Sequence, residues 1–295
     1  MQTKQQIQQL IAAAGVSVSK RLGQHFLIDL NLMRLLIDSA QIRSSDIVLE
    51  VGCGTGSLTQ AITDKAGVTI AVELDPALAK ITGKQLAQAE NVQVVNCDIL
   101  QNKNTIDPAV TSAIESARRK CSGRLLLVSN LPYSVASAVV LNLVTGPATA
   151  DAMYVTVQKE VAERMIAAPG SRDYGTLSIF LAATGDVKMI RTLKPTVFWP
   201  QPMVDSAMVS FVRAPDKVSR IEDMELFGEV VNLFMGHRRK MLKACTRFAT
   251  GRLGGIDNWP EIFQSCSVEP SVRPEQIRPE DYVALANFCG RGLRK

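Results

Sequence analysis

Paired cysteines are missing from this sequence. Its six cysteines, Cys53, Cys97, Cys121, Cys245, Cys266 and Cys289, lie far apart, and no C-x-x-C spacing offers a zinc site or a redox centre. No metal is expected, and free thiols in a reducing compartment are the expected state. Long apolar runs are missing too, since none approaches the roughly 18 residues that cross a bilayer. The Gln-rich start, with Lys20 and Arg21 after its apolar residues, lacks the order of a secretory signal. These absences predict a cytoplasmic protein with no membrane partner. Internal repeats and low-complexity tracts are also absent.

What is present is the composition of an ordinary globular chain. Its 295 residues are 46% hydrophobic and 21% charged, enough for one sizeable core plus a smaller second domain. A net charge of +5 suits a polyanionic partner, but it suits equally many enzymes that never meet nucleic acid. Ile7, Leu10 and Ile11 at helical spacing predict a short amphipathic helix before a basic loop at 20–26, and a second helix begins near Asn31. Short β-rich runs at 47–51, 68–72, 92–95 and 125–128 then alternate with helical stretches at 58–65 and 76–88, the second with Pro76 in its first turn. That alternation predicts βαβ units and a mostly parallel sheet. A strand at 153–158, a helix at 159–167 and a strand at 207–212 follow. Beyond Pro215 the runs 224–235, 238–248 and 281–288 read as helices without strands between them. The expectation is an α/β Rossmann-like domain over 1–213 and a small helical domain over 214–295.

Glu50-Val51-Gly52-Cys53-Gly54-Thr55-Gly56 closes the first strand and opens a helix, where an open α/β sheet binds nucleotide-like ligands. A dinucleotide fingerprint needs G-x-G-x-x-G, but here the third glycine falls one residue early and Ser57 holds its place. The G-x-G-x-G form, with Gly52 and Gly54 close to the ligand, resembles instead the methyltransferase loop, which holds an amino-acid tail. Glu73 and Asp98 end the next two strands. The first can accept from ribose hydroxyls and the second from an adenine amino group. A plainer reading makes each a turn former or helix cap.

Asn130-Leu131-Pro132-Tyr133 follows the fourth strand on the same sheet edge. Adenine's exocyclic amine is a poor nucleophile because its lone pair is delocalised into the ring. Binding both N–H protons localises that pair. The Asn130 side-chain oxygen and the Leu131 carbonyl, stiffened by Pro132, supply the two acceptors, and Tyr133 supplies a stacking face. The amine becomes acidic only after it has accepted a methyl group, so no catalytic histidine is needed. A polar turn ending a strand is the rival reading of the same four residues.

Further motifs join these: Gly23-Gln24-His25-Phe26-Leu27, Gln158-Lys159-Glu160-Val161, Tyr174-Gly175-x-Leu177-Ser178, Phe198-x-Pro200-x-Pro202-x-Val204-Asp205-Ser206 and Arg238-Arg239-Lys240. With them the chain resembles, over nearly its whole length, the small-subunit ribosomal RNA adenine dimethyltransferases. These enzymes convert two adjacent adenosines of a terminal hairpin loop to N6,N6-dimethyladenosine. The resemblance implies a class I methyltransferase fold, S-adenosylmethionine as methyl donor, and immature small ribosomal subunits as partner of a monomeric enzyme. It implies that His25, Leu27, Gly52, Glu73, Asp98 and Asn130 line the cofactor pocket and that Phe198 completes an aromatic sandwich with Tyr133 around the flipped adenine. Many bacterial relatives carry Asn where His25 stands, and a His N–H can substitute in a hydrogen bond.

His237-Arg238-Arg239-Lys240, with Lys243 and Arg247, is expected to give one helical face a basic stripe for RNA phosphate, as are Lys20 and Arg21 at the pocket mouth. A solvated charged face is the plainer reading. Trp199 and Trp259 are expected to pack rather than stack on bases. The segment 102–122 is expected to hold a surface helix exposing Arg118, Arg119 and Lys120. Three alternatives stay open. A large-subunit adenine methyltransferase is disfavoured by Leu131 and the Phe198 motif. A ribosome-assembly binding factor and a DNA adenine methyltransferase are the others.

Overall fold

The computed structural model describes residues 1–19 and 23–293. After helix α1 (Lys4–Ala13) and the short strand β1 (Phe26–Leu27) come α2 (Leu30–Ala40), β2 (Ile47–Val51), α3 (Ser57–Thr63), β3 (Val68–Glu73), α4 (Pro76–Gln85) and β4 (Val92–Asn96). A hairpin of β5 (Leu100–Asn102) and β6 (Thr105–Ile106) leads to α5 (Pro108–Arg118), β7 (Leu125–Asn130), α6 (Ala136–Thr145) and β8 (Ala152–Gln158). The chain continues through α7 (Lys159–Met165), α8 (Thr176–Thr184), β9 (Gly185–Leu193), β10 (Phe198–Trp199) and β11 (Ser206–Arg213). It ends in α9 (Pro215–Val218), α10 (Met224–Met235), α11 (Leu242–Cys245), α12 (Trp259–Ser265) and α13 (Pro279–Leu293).

Seven strands form one sheet in the order β4-β3-β2-β7-β8-β11-β9. β4, β3, β2, β7 and β8 run parallel, and β11 is antiparallel to β8. The winding reverses between β2 and β7, so the strand ends there splay apart and open a crevice at the carboxyl edge. The strands flanking that point are buried on both faces. Ile47, Val48, Leu49 and all of Leu125, Leu126, Leu127 and Val128 are no more than 1% exposed, which is why they read as unbroken apolar runs. Asp29 and Asp75 cap α2 and α4 by accepting from backbone N–H groups of the first turn.

The chain divides into two compact units, 1–162 with 188–212, and 163–187 with the chain from 213 onward. The sequence-based boundary at 213/214 leaves 163–187 on the other side of this division. In the structure α8 packs with α10 and α13. Phe180 meets Phe227 edge-on at 5.0 Å, and the Tyr174 hydroxyl donates to the Ile277 carbonyl at 2.8 Å. α8 is apolar on every face, so its pattern carries no sign of the layer it joins.

In the second unit Phe234 is the centre of an aromatic cluster with Trp259, Phe263 and Tyr282, and Trp259 is a packing residue as expected. The single helix expected over 238–248 is absent. His237 Nδ1 bonds the Leu233 carbonyl at 2.9 Å where α10 ends, residues 237–240 form a turn, and α11 is followed by a short 3-10 turn at Thr246–Phe248. The expected helix within 102–122 is α5, which buries Val110, Ala113, Ile114 and Ala117 and leaves Arg118, Arg119 and Lys120 exposed. Among the described residues no helix is long and apolar enough to cross a membrane. All six cysteines are free.

Candidate active site

The glycine loop occupies the crevice because nothing larger fits. Gly52, Gly54 and Gly56 have φ of 77°, 62° and 82°, a region that side chains disfavour. A Cβ on Gly52 would come within 2.8 Å of Pro132 Cγ, and one on Gly54 within 2.8 Å of the Phe26 ring. The loop is thus pressed between β1 and the run Asn130-Leu131-Pro132-Tyr133. The Ser129 hydroxyl donates to the Val51 carbonyl at 2.7 Å and ties β7 to β2 at their carboxyl ends. Gln2, which the sequence reading passed over, braces the loop from outside. Its amide donates to the Thr55 carbonyl at 3.0 Å, accepts from the Thr55 hydroxyl at 2.6 Å, and its backbone N–H donates to Ser57 Oγ at 2.8 Å.

A cleft of about 1270 Å³, open mouth included, is lined by His25, Leu27, Gly52, Gly54, Glu73, Asp98, Asn130, Leu131, Pro132 and Tyr133. Ten of the eleven residues expected at the catalytic and cofactor positions therefore line one cavity. Glu73 accepts from the Gly54 N–H at 2.8 Å and the Asp75 N–H at 2.9 Å. Burial pushes its carboxyl above the usual range, and those two bonds pull back. Asp98 is exposed and also accepts from the Leu100 N–H at 3.0 Å, so it forms a turn as well as facing the cleft.

Glu50 lines the same cleft and was not singled out in the sequence. Burial, together with the neighbouring Glu73 charge, pushes its carboxyl up to about 8. Among the described residues its Oε2 has no hydrogen-bond partner, and the nearby Thr59 hydroxyl only partly offsets the rise. The signal was available, because a lone acid in the otherwise apolar strand IVLEV must meet something. Glu50, Glu73 and Asp98 together fit a ligand that carries a positive charge, hydroxyls and an amino group.

Asn130 sits at the last position of β7 with its amide engaged at both ends. Nδ2 donates to the His25 carbonyl at 2.7 Å, and Oδ1 accepts from the Thr156 hydroxyl. The Leu131 N–H donates to the Thr156 carbonyl at 3.1 Å, and the Leu131 carbonyl accepts no hydrogen bond among the described residues. The Tyr133 hydroxyl lies 2.6 Å from Ser206 Oγ, and burial raises its pKa. His25 Nδ1 lies 2.7 Å from the Pro200 carbonyl, which only accepts, so Nδ1 carries a proton.

Phe198, expected to form a sandwich with Tyr133 around the base, is not among the residues that line the cleft. It is 1% exposed, within an apolar cluster of Leu27, Leu32, Met33 and Leu193. The antiparallel pairing of β1 with β10 sets Phe198 opposite Leu27 and carries the ring into that cluster. The ring on Tyr133 is His25 instead, at 5.4 Å between centroids and 27° between planes. That is too close to admit a base between them, so His25 covers one face of Tyr133. Trp199 packs on Phe26 at 6.0 Å.

The basic run divides by role. Arg238 is committed within its own unit, pairing with Glu275 at 3.1 Å and donating to the carbonyls of Ser171 and Arg172. The side chain expected on a phosphate-binding stripe is thus held by partners of its own unit. Arg239, Lys240, Lys243 and Arg247 are exposed. Lys240 Nζ lies 5.4 Å from the centroid of Phe248, on which His237 stacks at 4.0 Å. Lys20 and Arg21 lie outside the described residues.

Comparison with known proteins adds the following. Residues 15–286 match the family described as ribosomal RNA adenine dimethylase. The chain is 34% identical over 275 residues to ribosomal RNA small subunit methyltransferase A of Pediococcus pentosaceus, covering 92% of this chain and 90% of the relative. Against the protein of the same name from Bacillus mycoides it is 32% identical over 289 residues, covering 97% and 96%. Among solved structures it is similar to a dimethyladenosine transferase from Plasmodium falciparum, with a TM-score of 0.72, 22% identity and coverage of 90% and 98%. It is also similar to the 23S rRNA methyltransferase ErmE, with a TM-score of 0.62, 23% identity and coverage of 90% and 99%. At those identities the structural likeness establishes the fold, that of the class I methyltransferases.

Proposed function

The chain belongs to the ribosomal RNA adenine dimethylase family, and we propose that it methylates N6 of two adjacent adenosines in a terminal hairpin loop of small-subunit rRNA, giving N6,N6-dimethyladenosine. One observation carries the proposal: Asn130-Leu131-Pro132-Tyr133 and the glycine loop line a single cleft. The methyl donor, S-adenosylmethionine, supplies a methyl group made electrophilic by a sulfonium. Glu73 holds its ribose hydroxyls, Asp98 its adenine amino group and Glu50 its cationic end. Gly52 and Gly54 bring the backbone into contact, and His25 and Leu27 form the wall.

The target amine gives its two N–H groups to Asn130 Oδ1 and to the Leu131 carbonyl, which confines its lone pair and aims it at the methyl. The face of Tyr133 that His25 leaves open carries the unstacked base. The methylated amine is strongly acidic, so its proton leaves without a strong base. Arg239, Lys240, Lys243 and Arg247 meet RNA phosphate, with Lys20 and Arg21 in the same role at the pocket mouth. The second unit is an RNA-binding domain, the working state is a cytoplasmic monomer, and the partner is the immature small subunit during assembly.

Mass spectrometry of small-subunit RNA after incubation with enzyme and S-adenosylmethionine tests this directly. Two neighbouring N6,N6-dimethyladenosines are expected. Methyl groups appearing only in large-subunit RNA would overturn it.

A further inference from the structure

We propose that Thr156 is a positioning residue for methyl acceptance: its hydroxyl, acting with the His25 carbonyl, holds the Asn130 amide with Oδ1 placed to meet the target amine. The inference rests on the reading that Asn130 accepts an N–H from adenine N6. An asparagine amide has an accepting and a donating end of nearly the same shape, and only its neighbours decide how it lies. Turned the wrong way, Asn130 would point an NH₂ group at an NH₂ group, and no acceptor would confine the lone pair.

The carbonyl on one side of Asn130 prevents this, and the hydroxyl on the other anchors the amide in the orientation so chosen. The His25 carbonyl can only accept, so it takes Nδ2 at 2.7 Å. The Thr156 hydroxyl donates to Oδ1. The reversed amide would set Oδ1 against the His25 carbonyl, two acceptors with no proton between them. One lone pair of Oδ1 is occupied by Thr156, and the other remains for the substrate.

Thr156 holds the second acceptor as well. It lies opposite Asn130 in the β7–β8 register, and its carbonyl takes the Leu131 N–H at 3.1 Å. Side chain and main chain of one residue thus fix the two neighbouring acceptors. Thr156 is fully buried between Val155 and Val157, where a hydroxyl is unfavourable unless it is hydrogen-bonded. Valine would fill the same space and satisfy the strand equally well. The hydroxyl is therefore explained by its partner, not by packing.

The test uses the full chain with small subunits and S-adenosylmethionine, comparing Thr156→Val, which keeps the shape, with Thr156→Ser, which keeps the hydroxyl. In Thr156→Val, kcat is expected to fall about 10- to 100-fold, with melting temperature, cofactor affinity and RNA KM unchanged. Thr156→Ser is expected to recover to within about threefold of the wild type. Wild-type kcat in Thr156→Val overturns the inference. So does an equal loss in both variants, or a loss of cofactor affinity in Thr156→Val, since either marks a packing role. If the wild type itself methylates no adenosine, the parent reading fails and this inference falls with it. A methylating wild type matched by Thr156→Val sinks the inference alone.

Discussion

Glu50 is held in a strained chemical state that the cofactor is suited to relieve. Its carboxyl ionises near 8 in the folded chain against an ordinary 4.5, so between those values the native state keeps a proton that the unfolded chain has lost. Stability from this group is complete below about pH 4.5 and declines as pH rises, by on the order of 4 kcal/mol at pH 8 if it acts alone. Thermal melts should therefore show Glu50→Gln more stable than wild type at pH 8 and nearly equal at pH 5; equal curves at both pH values would contradict the assignment. A cationic ligand that pairs with the carboxylate must expel that proton. Calorimetric titration with S-adenosylmethionine near pH 7 in buffers of different ionisation enthalpy should report close to one proton released, and Glu50→Gln should abolish the buffer dependence. Tyr133 and Phe198 should separate in their effects. Tyr133→Ala is expected to lower the rate strongly at little change in cofactor affinity. Phe198→Ala is expected to act on stability, by about 3–5 kcal/mol, as a buried ring removed from a core does.

At the scale of elements, the glycine loop is the part most sensitive to small change. Gly52→Ala adds a methyl group where Pro132 already stands at 2.8 Å and forces a side chain into φ of 77°. It should weaken cofactor binding at least about tenfold and destabilise by about 1–3 kcal/mol, read by calorimetry and melting. The strands that carry this loop were legible from the sequence because burial on both faces makes them unbroken apolar runs, and α4 was legible from Pro76. What escaped was anything decided by partners distant along the chain. α8 is apolar all round and shows no preference for a layer. The basic run at 238–248 has helical spacing, yet α10 ends at Met235 with Gly236 as its C-cap and a turn follows. Phe198 sits in a motif that implies stacking, but its strand pairs with β1 and turns the ring into a core. Glu50 and Thr156 stood in view as polar residues within apolar strands; they are informative only once the cleft and Asn130 are placed beside them.

For the whole molecule, charge and chemistry reside on separate residues and should respond separately. Replacing Lys243 and Arg247 together by Ala should weaken RNA binding similarly for all sequences and reduce the slope of log affinity against log salt by roughly 1.5, while cofactor affinity stays unchanged. Filter binding across a salt series measures this, and an unaltered slope would remove both residues from phosphate contact. Arg238→Ala should lower stability instead, since its partners are Glu275 and two carbonyls of its own unit. The contact of Gly52 with Pro132 carries a consequence for the order of events. In the proposed function the wall assigned to the methyl donor and the wall assigned to the base pack directly against each other at this point, so coupled binding is an expected outcome, read as a change in S-adenosylmethionine affinity when RNA is present. Coupling of this kind is reciprocal. A donor that tightens the grip on RNA by some factor is then itself gripped more tightly by that same factor, and its spent form, lacking the methyl and the charge, is expected to lose part of that advantage.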